Sequence, residues 1–537
     1  MRRLAFLPLP IALLAGAYLL WSRDTTVQLA PPGVAVAPLR ALLVGGGPDP
    51  DSNQVAIESN VRYVRALLPS KTPHITLFAD GDTRSKTVLT DLDPNAFPTI
   101  APPNSSEAGR YTFQLAFYDP ESDETETVLR APRLNGTLDG ASRRADIDRA
   151  FTRMAREGAR EGKARRVLLY FTGHGDSDKR DNENNEYLLW RDEGLRVRDL
   201  ARHIARLPAN VPVTIVMVQC YSGSFGNLLF ANGDARGALV SREVAGFFAS
   251  TKDRTAAGCT SEIDEAEYHD FTSYFFAALS GRDRVGRRVS GVDYNRDGRV
   301  GMNEAFAFAL SRDTSTDVPI CTSDVFLRRF APQDDATVFA TRYSQLRSWA
   351  SPAQRSALDA LSWQLGASGE NRLQTVFTKL RTGARRETKD ESEAVNPQLD
   401  AAYARFLKLQ AQGRETLTRR YPALELKAGS NERKRLAAQK SAVAWLSRQS
   451  EKAPWKEMRS VAGILDRASS SSSDSISDDP ETLEARRLRF VRLGKSIALA
   501  HGLQSGADAS LKARFARLLL AEGRTILPPA VNFKPVQ

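Results

Sequence analysis

The chain has 537 residues, of which 26% are charged and 42% hydrophobic, a composition typical of folded globular proteins. A chain of this length suits about two to four domains, which excludes a peptide hormone, a disulfide-knotted miniprotein or a single small module. After the N-terminal segment no apolar stretch is long enough to cross a bilayer, so a multi-pass membrane protein is excluded as well.

The net charge of +11 is unevenly distributed along the chain. Residues 331–537 hold 34 Lys and Arg against 22 Asp and Glu, whereas residues 1–330 hold 41 against 42. The near-neutral portion favours a polypeptide substrate over a polyanion. The basic portion suits an anionic partner such as phospholipid or an envelope polymer, with nucleic acid less favoured. A solvated helical surface is an equally supported alternative, because charge alone specifies neither fold nor partner.

The N-terminus carries the pattern of an export signal over residues 1–23. Arg2 and Arg3 precede an uncharged apolar run that ends at Ser22. An A-x-A motif within the run offers a cleavage site, while the length of the run also suits an uncleaved anchor. Both outcomes place the remaining chain outside the cytoplasm, in the periplasm or anchored to the inner membrane. A Pro-rich linker over residues 24–38 is expected to follow.

Residues 39–330 show the pattern of an α/β domain with a mainly parallel sheet. The predicted strands are nearly continuous apolar runs rather than alternating ones, as in strands that are covered on both faces. From Val197 onward, apolar residues instead recur at the spacing of a helix. Catalytic side chains are then expected at the carboxyl ends of the strands. The predicted strands are Leu39 to Val44, Ile75 to Phe78, Val167 to Phe171, Val213 to Val218 and Ala245 to Ala249. The polar, turn-rich stretch from about 80 to 140 is interpreted as an insertion.

The C-terminal region is predicted to be entirely helical. A capping box at Ser351 and the Asn396-Pro397 pair mark helix starts. The region is divided into a basic helical part over residues 331–468, a Ser/Asp-rich linker over 469–480 and a final helical segment over 481–537.

Two predicted strands end in residues that suit thiol chemistry. The first is followed by Gly173-His174-Gly175, and the second by Cys220 with Gly223 close behind. A thiolate is a nucleophile, and a nearby imidazole generates it and protonates the leaving group. Cys220 is therefore the predicted nucleophile and His174 the general acid/base, while the amides of Gly175 and Cys220 are the predicted oxyanion donors. A buried structural cysteine and a hydrogen-bonded structural histidine are the alternatives for either residue alone.

These segments carry a family resemblance. YFTGHGD and VQCYSGSF resemble the signatures of caspase-like cysteine peptidases, and the run from Ala249 to Cys259 makes the chain most similar to bacterial members of the legumain family. The resemblance covers about residues 39–330. It implies a caspase-like α/β/α sandwich and a cysteine peptidase that uses Cys220 and His174. It also implies an asparagine that orients the histidine, for which Asn53 is the candidate.

The resemblance leaves the residue recognised at the cleavage site open. The basic pocket residue that follows the legumain asparagine is absent here, and Val218 stands where arginine-specific relatives carry an aspartate. Arg254 is a candidate to pair with an acidic side chain of the substrate. A solvent-exposed loop arginine is the alternative.

The chain contains three cysteines, Cys220, Cys259 and Cys321. An odd number in an exported protein leaves at least one thiol unpaired or bonded to another chain. Cys259 and Cys321 share a similar local sequence and are the candidate disulfide pair, which would leave Cys220 free.

Residues 293–304 match the calcium-loop pattern D-x-[DN]-x-[DN]-G-x5-E at every fixed position. Gly298 permits the sharp turn of such a loop. A polar turn before a helix is the alternative, and a single loop suits a structural or activating Ca2+ site better than a sensor. The predicted ligands are Asp293, Asn295, Asp297, the carbonyl of Arg299, and Glu304.

Together these features predict a cysteine endopeptidase that acts on protein or peptide substrates through a thioester and needs no cofactor for catalysis. A transpeptidase or ligase with the same residues is the alternative within catalysis. A catalytically silent, calcium-binding interaction module at the cell envelope is the alternative outside it.

Overall fold

The computed structural model describes most of the chain from residue 38 onward. The predicted signal or anchor at 1–23 and nearly all of the predicted linker at 24–38 lie outside the described residues, so neither prediction is tested. The described residues are 38–91, 108–117, 127–134, 136–161, 165–331, 333–386, 397–425, 432–449, 451–474, 480–506 and 508–527.

A six-stranded sheet forms the centre of the N-terminal domain, and five of its strands are parallel. Every predicted strand is present in it, which confirms the mixed α/β class. Its strands are β1 (Leu39–Gly46), β2 (His74–Phe78), β5 (Arg166–Gly173), β9 (Val213–Met217), β10 (Val244–Phe248) and β11 (Ile320–Cys321). The order across the sheet is β11-β10-β9-β5-β1-β2, with only β11 antiparallel to its neighbour.

Two small antiparallel sheets complete the strands. One contains β3 (Val88–Asp91) and β4 (Thr127–Arg130), and the other contains β6 (Gly175–Asp176), β7 (Glu186–Leu189) and β8 (Glu193–Arg196). The second sheet starts directly after β5 and therefore lies next to the end of that strand.

Helices cover both faces of the central sheet, because its strands are apolar on both sides. On one face Ile57, Phe275 and Met302 join the core, and on the other Phe151 and Leu200 do so. The helices of this domain are α1 (Val55–Leu67), α3 (Arg144–Arg160), α4 (Val197–Ala205), α5 (Phe271–Ser280), α6 (Met302–Arg312) and α7 (Thr322–Phe330).

All regular elements described after residue 331 are helical, as predicted. Ser351 accepts a hydrogen bond from the Gln354 amide and starts α10 as expected. The helices are α8 (Asp335–Phe339), α9 (Tyr343–Trp349), α10 (Pro352–Gln364), α11 (Arg372–Arg386), α12 (Pro397–Arg420), α13 (Glu432–Gln449), α14 (Trp455–Asp474), α15 (Pro480–Ser505) and α16 (Ala509–Glu522).

The helices after residue 331 pack into two separate apolar cores, and this division does not follow their order along the chain. Helices α8 to α11, α15 and α16 share a core with α6 and α7 of the α/β domain, through residues such as Phe326, Phe490 and Phe515. Helices α12 to α14 instead pack around α2 (Ala108–Phe117), which belongs to the predicted 80–140 insertion. The final helices are thus attached to the α/β domain through a shared apolar core.

The Ser-rich linker prediction was wrong in its first half. Helix α14 continues through Asp474, because a helix that begins on a buried apolar face can propagate through serines at small cost per residue. Residues 475–479 lie outside the described part. None of the described helices is long and apolar enough to cross a membrane.

Candidate active site

His174 and Cys220 follow two strands that are direct neighbours in the sheet. Phe171 of β5 pairs with Met217 of β9 in parallel register, and the Val218 amide donates to the Phe171 carbonyl at 3.0 Å. His174 and Cys220 each come three residues after that matched pair. The sheet therefore brings both side chains to one edge, as the sequence predicts.

A left-handed residue directs the chain away from the sheet immediately after Cys220. Tyr221 has φ +58° and ψ +17°, a conformation that costs a non-glycine residue about 1 kcal/mol or more. Its N–H donates to the Arg254 carbonyl at 2.8 Å, and a short 3₁₀ helix, Ser222–Leu229, starts next to it. Cys220 thus stands at the corner of a sharp strand-to-helix turn.

The segment after β10, which we call the 250–261 loop, forms one wall of the site. The Ala256 N–H donates to Cys220 Sγ at 3.3 Å, and the Ser250 N–H donates to Ser222 Oγ at 3.2 Å. Gly223 is in such close contact that a methyl group there would lie 2.7 Å from the Lys252 nitrogen. The loop that the resemblance singled out therefore contacts Cys220 directly.

The thiol of Cys220 is half-buried and free. Burial raises its pKa, the Ala256 N–H lowers it, and the negative charge of Asp317 raises it further. Together these contributions raise the pKa of Cys220, so at neutral pH its resting form is the thiol. A base must remove its proton before it can attack a carbonyl.

His174 is held by neighbours from the turn that precedes α1. Its Nε2 lies 3.0 Å from Gln54 Oε1. Burial lowers the pKa of His174, opposed by the Ser52 carbonyl and the charge of Asp49. The imidazole is therefore neutral at pH 7, which is the form that can accept a proton. No hydrogen bond joins it to Cys220 among the described residues; such contacts are often long before substrate binds.

Asn53 does not orient the histidine, contrary to expectation. It is fully buried, accepts from the Gly47 N–H at 3.2 Å and donates to the Thr87 carbonyl at 2.6 Å. Its neighbour Gln54 contacts His174 instead. The prediction was wrong by one position, because the direction in which this turn enters α1 decides which amide faces the site.

Gly175 is suitably placed to supply an amide donor. The His174 carbonyl accepts from the Leu188 N–H at 2.9 Å, so these two residues form a hydrogen-bonded pair of an antiparallel ladder. Such pairs alternate with non-hydrogen-bonded ones, which leaves the N–H of Gly175, opposite Tyr187, unused by the ladder. A methyl group at Gly175 would lie 2.2 Å from the Cys220 carbonyl oxygen, so glycine is required there.

Arg254 is partly buried and already paired. Its Nη1 lies 3.1 Å from Glu484 Oε1 on α15, and 29% of its side chain is exposed. Its Nε is buried and has no hydrogen-bond partner within the described portions of the chain. The guanidinium thus retains a donor, while an acidic side chain already occupies its accessible side.

Asn185 is a site residue that the sequence analysis missed. It is fully buried and accepts from the Asp178 N–H at 3.0 Å, while its amide donates to the Lys252 carbonyl at 2.8 Å and approaches that of Tyr221 at 3.4 Å. It therefore joins the three segments that surround the site. No sequence signal distinguishes it from the other asparagines of that turn.

Cys259 and Cys321 are not bonded to each other, so the predicted disulfide was wrong. All three cysteines are free. The Cys259 thiol lies 3.8 Å from the Gly173 carbonyl, beside the active site, whereas Cys321 lies 3.1 Å from Ser323 Oγ at the edge strand. Similar local sequence did not place them together.

The predicted calcium loop forms a compact turn before α6. Asp293 accepts the Gly298 N–H at 2.9 Å, and Glu304 accepts the Tyr294 and Asn295 N–H groups at 2.8 and 3.0 Å. Burial raises the pKa of Glu304. Within the described ranges, no three His, Cys, Asp or Glu side chains are grouped closely enough to hold a metal ion. The carboxylate and amide oxygens of the loop are nonetheless of the type that Ca2+ prefers.

Comparisons with known proteins do not assign this chain to a family. A scan against protein-family models and a search of curated proteins find no match. The solved structures that match include protein GSU0716 from Geobacter sulfurreducens, at 11% identity, over 53% of this chain and 92% of that one, with a TM-score of 0.28. A TM-score this low does not establish a shared fold.

Proposed function

We propose that the chain is a cysteine endopeptidase of the caspase-like, legumain-related type. The observation that carries the proposal is the pair of matched strand ends that brings His174 and Cys220 to one sheet edge, with the Ala256 N–H on the sulfur. A structural cysteine needs neither a hydrogen-bond donor on its sulfur nor a neutral imidazole at the adjacent strand end.

The reaction follows from these groups. His174 accepts the thiol proton, and Cys220 Sγ forms a bond to the carbonyl carbon of the scissile peptide. The amides of Gly175 and Cys220 donate to the oxygen that becomes negative. The C–N bond then breaks as His174 gives its proton to the leaving amine, and water hydrolyses the thioester with His174 as base.

The proposal extends to location and metal binding. The N-terminal pattern supports export or inner-membrane anchoring, and the basic helices support contact with an anionic envelope surface. Calcium would be held by Asp293, Asn295, Asp297, the Arg299 carbonyl and Glu304, and would stabilise the turn that precedes α6.

The direct test is cleavage of a fluorogenic peptide library, varied at the residue before the scissile bond, by wild type and by Cys220→Ala. Turnover in wild type that Cys220→Ala abolishes would support the peptidase. Cys321→Ala is the matched control, because it removes a buried thiol outside the site and is expected to keep activity. Equal turnover in wild type and Cys220→Ala would refute the proposal, as would no turnover in any library member.

A further inference from the structure

A buried arginine of the C-terminal region reaches into the α/β domain. Arg489 on α15 is 1% exposed. Its Nε donates to the Asp317 carbonyl at 2.6 Å, its Nη2 to the Ser315 carbonyl at 2.5 Å, and its Nη1 to the Asp313 carbonyl. One planar guanidinium thus fixes three carbonyls of the 313–317 segment, which leads into β11.

The side chain of Asp317 connects that segment to the 250–261 loop. Asp317 is fully buried, and its two carboxylate oxygens accept from the Ala257 N–H at 2.7 Å and the Phe271 N–H at 3.0 Å. Ala257 directly follows Ala256, whose N–H donates to Cys220 Sγ. Three hydrogen bonds, joined covalently through Asp317 and through the Ala256–Ala257 pair, therefore connect α15 to the sulfur.

We infer that Arg489 is a positioning residue for the Cys220 thiol, and that α15 is part of the catalytic unit. Arg489 fixes the 313–317 segment, this segment orients Asp317, and Asp317 fixes the peptide next to the one that donates to the sulfur. The catalytic meaning of this inference rests on the proposed function. The effect on the thiol does not.

The directional nature of a hydrogen bond to sulfur explains why Arg489 suits this role. An N–H bond to a thiolate is charge-assisted and sensitive to direction, so a loop that moves loses it. Arg489 Nη2 also lies 3.7 Å from Asp313 Oδ1, so the arginine contacts a buried carboxyl of the 313–317 segment as well as its carbonyls. Cys259, in the same loop, is a further titratable group that interacts with Cys220. By fixing the loop that carries the Ala256 N–H, Arg489 favours the reactive form of Cys220.

The test measures alkylation of Cys220 by iodoacetamide against pH in the full chain, with the Cys220 peptide quantified by mass spectrometry. Arg489→Met is expected to move the midpoint upward by about one pH unit, which is about tenfold less thiolate at neutral pH. We expect kcat to fall by a similar factor with KM little changed. Amide exchange of the 250–261 loop is expected to accelerate.

Arg328→Met is the matched control. Arg328 Nη1 donates to Ser496 Oγ of α15 at 3.3 Å and pairs with Asp324, so it also attaches α15 to the domain but does not contact the 313–317 segment. It is expected to lower thermal stability while leaving the alkylation profile unchanged.

Arg489→Lys covers the case in which Arg489→Met fails to fold. Lysine keeps the buried charge, but its ammonium cannot reach three carbonyls in one plane, so the alkylation midpoint is expected to move in the same direction. The inference is overturned if the Arg489 variants titrate like Arg328→Met. If wild type cleaves no peptide but the midpoint still moves only in the Arg489 variants, the proposed peptidase fails and the positioning role stands.

Discussion

Replacing Gln54 by glutamate is expected to change the acid–base behaviour of His174 without altering the shape of the site. The wild-type amide oxygen lies 3.0 Å from His174 Nε2. A carboxylate at that distance favours the imidazolium, and opposite charges this close raise the pKa of a histidine by about one to three units, or about 1.4 to 4 kcal/mol. Burial holds the wild-type pKa below its ordinary value, so Gln54→Glu is expected to bring it to that value or above.

The assay is an NMR titration of labelled histidines, of which the chain has five, with His174→Ala to assign the resonance. The His174 midpoint is expected to rise in Gln54→Glu and to remain low in Gln54→Ala, because burial is the largest cause of the lowered pKa of His174. The acidic limb of kcat/KM is expected to move to higher pH by the same amount, since a protonated imidazole cannot accept the thiol proton. An unchanged midpoint in Gln54→Glu would refute the contact between Gln54 and His174.

Three further outcomes are expected. Glu304→Gln should weaken Ca2+ binding by about tenfold or more, measured by titration calorimetry; equal binding by both proteins would exclude this loop as the site. Glu484→Gln should lower KM for substrates with an acidic residue before the scissile bond, by no more than about fivefold because the exposed pair with Arg254 is weak. Loss of Arg254 should abolish the preference for an acidic residue. No such preference in any variant would contradict the role of Arg254. Burial raises the pKa of Glu522 to about 7, so its contribution to folding is present below its ordinary pKa and is lost as pH rises to 7. Glu522→Gln should therefore stabilise the fold by up to about 3 kcal/mol at pH 8 and by little at pH 4 in urea unfolding; equal effects at both pH values would be inconsistent with a buried neutral acid.

The C-terminal helices illustrate where local sequence stops being informative. Capping at Ser351 and the proline at Pro397 predicted helix starts correctly, because these signals act within one turn. Which helices pack together was not predictable, because it depends on apolar faces that meet over long separations. Gln410 of α12, for example, donates to the Leu115 carbonyl of α2, 295 residues away.

By itself the sequence determined the apolar strands and the two strand ends that carry His174 and Cys220. Continuous apolar runs specify strands buried on both faces, and parallel strands bring their carboxyl ends to one edge, so local patterning suffices for both. Only the tertiary structure decided that Gln54 rather than Asn53 contacts the histidine and that Cys259 and Cys321 stay apart. It also decided that Arg489 bonds the carbonyl of Asp317, whose side chain bonds the 250–261 loop. These contacts join residues about 60 to 170 positions apart. Their geometry depends on how whole elements pack, which no short stretch of sequence specifies.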